Sequence, residues 1–190
     1  MFERPKGGPT GPNPVDRGKN RSKIHLITER TGLPISVAIS AANIHDSLAL
    51  EPLVRGIPPI RSRRGPRRRR PVKLHGDKGY DYPPFLRSRG IVPRIARRGV
   101  GSSRRPGRHR RVVERTVSWL AGCRRLHRRY ERRADHFASF VAIAAALIRY
   151  RRLTKRDVVQ GMADSLTSSD QTARTHTLKL PLHISAIRCC

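Results

Sequence analysis

The stretch LHGDKGYD (residues 74–81) places two carboxylates, an ammonium group and a phenol directly after a short apolar run. A further acid, Glu114, stands among arginines in GRHRRVVERTVSWL (residues 107–120). Asp77 falls where a candidate strand gives way to a loop, and in open α/β sheets the carboxyl ends of strands are where ligands bind. The path from Asp77 to Glu114 holds a short helix, a strand and a loop, enough to bring a helix-borne Glu back against a strand-end Asp. Two converging carboxylates would suit Mg²⁺ (or Mn²⁺), hard cations that take few protein oxygens and keep waters for a substrate phosphate. Paired metals of this kind activate a water or hydroxyl and steady the leaving oxygen in phosphodiester cleavage or strand transfer. Arg110, one helical turn before Glu114, is placed to orient that glutamate or to meet a scissile phosphate. On residue types alone, an Asp after a strand and a Glu in an Arg-rich helix fit a loop cap and a surface ion pair better than a metal site.

The remaining polar residues have plain structural readings. His45 and Asp46 fit a turn with a helix cap, and His25 and His75 alternate within strands as packed or solvent-facing groups. Tyr80 and Asp81 shape the loop after Asp77, with Tyr80 able to stack or hydrogen-bond near a substrate, and Trp119 reads as a core residue. No Ser, His and Asp set suggests a nucleophilic triad. The three cysteines, Cys123, Cys189 and Cys190, lack CxxC spacing, which argues against a zinc site and fits a reducing compartment.

Charge narrows the partner. The 42 Lys and Arg against 13 Asp and Glu leave a net charge of +29, far beyond what solubility needs. Cations at this density bind polyanions, because neutralising phosphates releases condensed counterions. The run RSRRGPRRRR (residues 61–70) repels itself and reads as a loop that stays solvated or lies on phosphates. Within and around it, Arg67, Arg68, Arg69, Arg70 and Lys78 are the candidate DNA contacts, joined by Arg104 and Arg105 in a basic loop and by Arg124 and Arg125. No signal-peptide core is found, and the most apolar segment, FASFVAIAAALI (residues 137–148), is too short to cross a bilayer. An intracellular protein on nucleic acid, with no membrane partner, is expected.

The elements that must position these groups follow from local pattern. A Pro/Gly-rich basic arm spans 1–21. SKIHLI and ISVAIS flank a Gly-Pro turn as an antiparallel hairpin. A helix over about 47–54 is capped by Asp46 or Ser47, PVKLHGD is a strand, YPPFLRSRG a short helix, and IVPRIA a strand. Helices follow over about 111–121, with Val113, Val117 and Leu120 on one face, and over about 134–150. Residues 154–190, rich in Ser and Thr, are expected to be poorly ordered or peripheral. The layout is α/β with a mixed sheet.

Taken together, GPTGPNPVDRGKNRSKIHLITERTGLPISVAISAANIHDSLAL, LHGDKGYD and GRHRRVVERTVSWLAGCRRLHRRYERRADHFASFVAIAAAL closely resemble bacterial insertion-sequence transposases of the DDE type. The resemblance covers about residues 6–153, in order and with matching spacing. It implies an RNase H-like mixed sheet with flanking helices over 22–153, and roles as second and third metal-binding catalytic acids for Asp77 and Glu114, with Arg110 part of the signature. It also implies a first catalytic Asp on a first strand that this sequence does not supply, since Asp16 lies in a Pro/Gly loop. Arg111 stands where an aromatic residue is common. A fragment or second-reading-frame product is therefore expected, lacking the first strand. It would bind DNA in the bacterial cytoplasm, at the nucleoid, with an upstream-frame product or a full-length transposase, and as an oligomer if active. Little or no activity is expected of it alone. The contrasting reading is a non-catalytic, strongly basic nucleic-acid-binding protein.

Overall fold

The structure, a computed structural model, describes residues 8–14, 17–60, 66–95, 107–127, 129–166 and 182–188, with backbone alone at 107–110, 156–166 and 182–188. Strand β2 (Asn20–Thr28) carries Ile24 and Leu26 toward one face and His25 and Ile27 toward the other. Residues 22–28 are all buried, as a strand covered on both faces requires. It pairs antiparallel with β3 (Pro34–Ala41), completing the expected hairpin, and at its start with the two-residue β1 (Gly11–Pro12). The pairing extends β2 to Asn20, so the expected 1–21 arm gives its last residues to the sheet.

On the Ile27 side, α1 (Leu50–Arg55), α2 (Pro83–Ser88) and the strand β4 (Lys73–Gly76) enclose one apolar cluster. Leu50, Leu53, Ile57, Leu74, Tyr80, Leu86 and Ile91 are its fully buried members. On the Ile24 and Leu26 side, α3 (Gly107–Ala121) supplies Leu120, and α4 (Ala134–Leu166) supplies Phe137, Val141, Ala144 and Ile148. β5 (Val92–Ile95) runs parallel to β4. The fold is a mixed α/β sheet with helices on both faces, as the pattern predicts. Among the described residues no helix is long and apolar enough to cross a membrane.

The C-terminal part departs from expectation. α4 does not stop near residue 150 but continues to Leu166. Beyond residue 150 the sequence continues with Arg, Leu, Lys, Asp and Gln and without a proline, residue types that sustain a helix by propensity. The expected peripheral tail also returns as β6 (Leu182–Arg188), antiparallel to β2 and parallel to β4. The order is β3-β2-β6-β4-β5, with β6 in the middle. LHISAIR has the two-residue alternation of a strand, but seven such residues are diluted in a long Ser/Thr-rich segment. β6 thus pairs the edge of β2 that β3 leaves free. The expected Asp46 or Ser47 cap is corrected too: His45 precedes the turn, its Nδ1 accepting from the Ser47 backbone N–H at 3.3 Å. Asp46 is engaged elsewhere.

Candidate functional site

The loop after β4 is pinned from inside the sheet. Asp77 caps the 3₁₀ turn Lys78–Tyr80, accepting from the Lys78 backbone N–H at 2.7 Å while its carboxylate faces solvent. Gly79 lies against Asp46, where a Cβ would come within 2.8 Å of the Asp46 Oδ2 oxygen. A side chain there would push Asp46 from the place where Lys23 holds it. Tyr80 turns inward, fully buried, with its hydroxyl 2.6 Å from Nδ1 of His25. The other His25 ring nitrogen lies 2.7 Å from Ser40 Oγ.

Burial, reinforced by the Asp46 and Asp77 charges, raises the Tyr80 hydroxyl well above the ordinary phenol range, so it stays protonated. With the Ser40 hydroxyl directed to the Ala41 carbonyl at 3.3 Å, Ser40 Oγ accepts from His25 Nε2 and the Tyr80 hydroxyl donates to His25 Nδ1. Burial lowers His25 to about 4, Lys23 adding to the drop and Asp46 opposing it, so the ring is neutral. Beside it the buried Lys23 Nζ donates to Asp46 Oδ1 at 2.6 Å and to the Ile44 carbonyl at 2.5 Å. Sequence reasoning placed Tyr80 in the loop but missed its tie to His25. The signal was Lys23, His25 and Ile27 sharing one strand face, although an alternating His alone does not reveal its partner.

Glu114 lies exposed on α3. Two residues on, the buried Thr116 Oγ1 donates to the Gly32 carbonyl at 2.6 Å, across the turn between β2 and β3. Gly32 has φ +90° and lies 3.0 Å from Thr116 Oγ1 at the Cβ position, so this close packing and this backbone both need glycine. The described contacts tie the Asp77 loop to the Lys23 end of β2, and the helix of Glu114 to the turn at its other end. Thr116→Val keeps the shape and leaves the Gly32 carbonyl without this donor. A loss of about 1–2 kcal/mol is expected, read as a lowered denaturation midpoint.

The basic candidates divide. Arg67, Arg68, Arg69, Arg70, Lys78 and Arg124 are exposed. Arg70 Nη1 donates to the Arg89 carbonyl at 3.2 Å. Arg125 is engaged in structure: it pairs with Glu131 and lies over the rings of Tyr130 and Phe140, at 4.9 and 4.7 Å. Arg104 and Arg105 lie outside the described residues, as does the side chain of Arg110, whose backbone is in the first turn of α3. Arg129, which the sequence reading passed over, donates to the Gly8 carbonyl and Ser22 Oγ, both at 2.7 Å, and ties the segment before α4 to Gly8, ahead of β1, and to β2.

The fit to a divalent metal is incomplete. Asp77 and Glu114 are exposed carboxylates on separate elements, and no group of three or more His, Cys, Asp or Glu side chains that could hold a metal occurs among the described residues.

Comparison with known proteins bears on these residues. Residues 3–99 match the transposase DDE domain family, a span that contains Asp77 but not Glu114. The chain is 43% identical over 157 residues to the transposase assigned to insertion sequence element IS402 of Burkholderia cepacia, covering 81% of this chain and 73% of that protein. No solved structure matches it.

Proposed function

The chain belongs to the DDE-domain transposases, and from that premise we propose that it acts on DNA, gripping the duplex by phosphate contacts as one part of a transposition apparatus that cuts and joins strands. The observation that carries the DNA reading is the exposed run Arg67, Arg68 and Arg69, on a chain of net charge +29. Three exposed guanidinium groups in succession can neutralise backbone phosphates without reading base sequence. The RNase H-like reading of the fold is supported by the mixed sheet with helices on both faces, and by Asp77 at the carboxyl end of β4.

DDE transposase domains generally use divalent metal ions, and Asp77 and Glu114 are the residues we assign to that role, with Arg110 orienting Glu114 or meeting the phosphate. The donors among the described residues fall short of such a site. The strand beside β4 is β6, and residues 182–188 contain no Asp or Glu that could add a donor. We therefore infer that this chain alone binds DNA in the bacterial cytoplasm without cutting it, and that cleavage requires a longer transposase or an upstream-frame product as partner.

The second reading, a purely electrostatic binder with no active site, is favoured by the same shortage of donors. One experiment separates them from a complete enzyme. The purified chain with Mg²⁺ or Mn²⁺ is incubated with supercoiled plasmid carrying element-end DNA, beside Asp77→Ala. Both are expected to bind the plasmid equally and to leave it unnicked. Metal-dependent nicking lost in Asp77→Ala would overturn the inactivity.

A further inference from the structure

On the Ile24 and Leu26 side of the sheet, two helices bring cations together around the chain's single tryptophan. Trp119, half-buried on α3, packs against that apolar cluster. Arg115 from α3 lies over its ring at 5.7 Å, and Arg152 from α4 at 4.2 Å. The two guanidinium groups are no further apart than those distances together. They lie within one Debye length at 0.1 M salt, about 10 Å, and each feels the other's charge. The face of a Trp ring attracts a cation, and here one ring draws two.

The cations continue along α4. Phe137, Val141, Ala144 and Ile148 form the stripe that this helix turns to the sheet. The next positions on that stripe, four and seven residues beyond Ile148, are Arg152 and Lys155, both exposed. Arg151, also exposed, makes a like-charge pair with Lys155 at i,i+4, an arrangement that weakens a helix. Among the described residues none of Arg115, Arg151, Arg152 and Lys155 is in an ion pair. Glu114, beside Arg115 in sequence, sets one negative charge against their four. A polyanion laid across them relieves the repulsion and releases its own counterions.

This surface is separate from the run Arg67, Arg68 and Arg69. Ile60, bonded through its backbone to Arg68, packs on the Ile27 cluster, on the other face of the sheet. Arg115 sits by the turn between β2 and β3, its Nε 3.5 Å from the Cβ position at Gly32. That is the end of β2 away from Lys23 and the Asp77 loop. A straight duplex lying on one surface does not reach the other.

Resting on the reading that the chain acts on DNA, we propose that Arg115, Arg151, Arg152 and Lys155 form a second duplex-binding surface around Trp119, so that one chain holds two DNA segments, one on each face of the sheet. Its contacts go to phosphates and carry no base sequence.

The lone tryptophan reports on the site directly. The full chain carrying Arg67→Gln, Arg68→Gln and Arg69→Gln is titrated with a short random-sequence duplex at about 50 mM salt, where phosphate contacts bind strongly. Residual saturable binding is expected by anisotropy, and saturating duplex is expected to lower acrylamide quenching of Trp119 at least twofold. Binding without protection of Trp119 would overturn the proposal, as would loss of all binding in this variant. If the variant binds as tightly as the native chain with Trp119 protected, the role of the Arg67 run fails and this surface stands. In a second experiment the chain captures a labelled duplex on beads carrying another, immobilised duplex. Arg115→Gln, Arg152→Gln and Lys155→Gln together are expected to cut that capture at least tenfold while single-duplex binding through the Arg67 run persists. Arg115→Lys with Arg152→Lys keeps the charges and is expected to keep the capture. Capture undiminished in the glutamine variant, or lost equally in the lysine variant, would overturn the proposal.

Discussion

Replacing Arg67, Arg68 and Arg69 together with glutamine is expected to weaken duplex DNA binding by two to three orders of magnitude at about 0.1 M salt, and to reduce the slope of log K against log salt by about 2.7. Both figures follow from counterion release, in which each neutralised phosphate contributes about 0.9 to the slope. The three side chains are exposed, so the substitution touches no core. The fold keeps its local anchor, because the bridge between Ile60 and Arg68 is made by backbone groups at 2.9 Å in both directions. Surface changes of this kind typically move stability by less than about 0.5 kcal/mol. Anisotropy titrations across a salt series decide it, and an unchanged slope would remove this run from the phosphates.

Neighbouring arginines sharpen the comparison. Arg70 is spent on the Arg89 carbonyl, so Arg70→Gln loosens the packing of the run against the end of α2 and changes the salt slope less. Arg125→Gln gives up the Glu131 pair and the faces of Tyr130 and Phe140. A partly exposed pair of that kind is worth about 1 kcal/mol or less, and its loss shows in a thermal melt rather than in the salt slope. Arginines equal in a sequence count thus divide into those the fold uses and those left for a polyanion. Arg129 belongs to the first group: its bonds to Gly8 and Ser22 hold the segment before α4 against β2 and the residues ahead of β1.

That division was not legible in the sequence, for a physical reason. A guanidinium reaches several ångströms and finds its partner through tertiary structure, so RRYER looks the same whether Arg129 is bound inside or free outside. What was legible rested on short-range pattern. The hairpin, the strand before Asp77, the short helix in YPPFLRSRG and the helix bearing Glu114 came from alternation and helical spacing; they lie where those patterns put them, except that the Glu114 helix begins at Gly107 rather than near 111. α4 beyond residue 150 was missed because its few apolar residues follow no sustained period. β6 was missed because a seven-residue strand gains its stability from two neighbours more than a hundred residues away, which no local window contains. For the site, the Asp77 turn was readable as a strand end. The buried chain His25, Tyr80 and Ser40 that holds it was not, since each residue alone has an ordinary explanation.

That buried chain makes the fold sensitive to acid. Lowering the pH from 7 to 4 is expected to cost about 3 kcal/mol of folding stability through His25, the energy of a shift from 6.5 to about 4 at about 1.4 kcal/mol per pH unit. The sign follows from proton binding. Above 6.5 the imidazole is neutral in both states and contributes no pH dependence. Between 6.5 and about 4 the unfolded chain takes up a proton that the folded one refuses, so stability falls as pH falls. Below about 4 both are protonated and the loss is complete. Burial is the main reason for the refusal, with Lys23 nearby adding to it and Asp46 opposing. Hydrogen bonding agrees: Nδ1 accepts from the Tyr80 hydroxyl at 2.6 Å, so a proton placed there would force that hydroxyl to reverse its bond inside the core. Denaturant midpoints across the pH series test this, with His25→Gln as the comparison. The variant is expected to be weaker at pH 7, because Tyr80 and Ser40 lose their partner, but to lack the His25 share of the decline. A wild-type curve flat from 7 to 4.5 would mean that His25 is not held neutral. Because Tyr80 anchors the turn that begins at Asp77, the same protonation that weakens the fold releases the loop carrying that carboxylate. Acid is therefore expected to raise the solvent exchange of the Tyr80 amide before the Leu120 and Phe137 core on the other face opens.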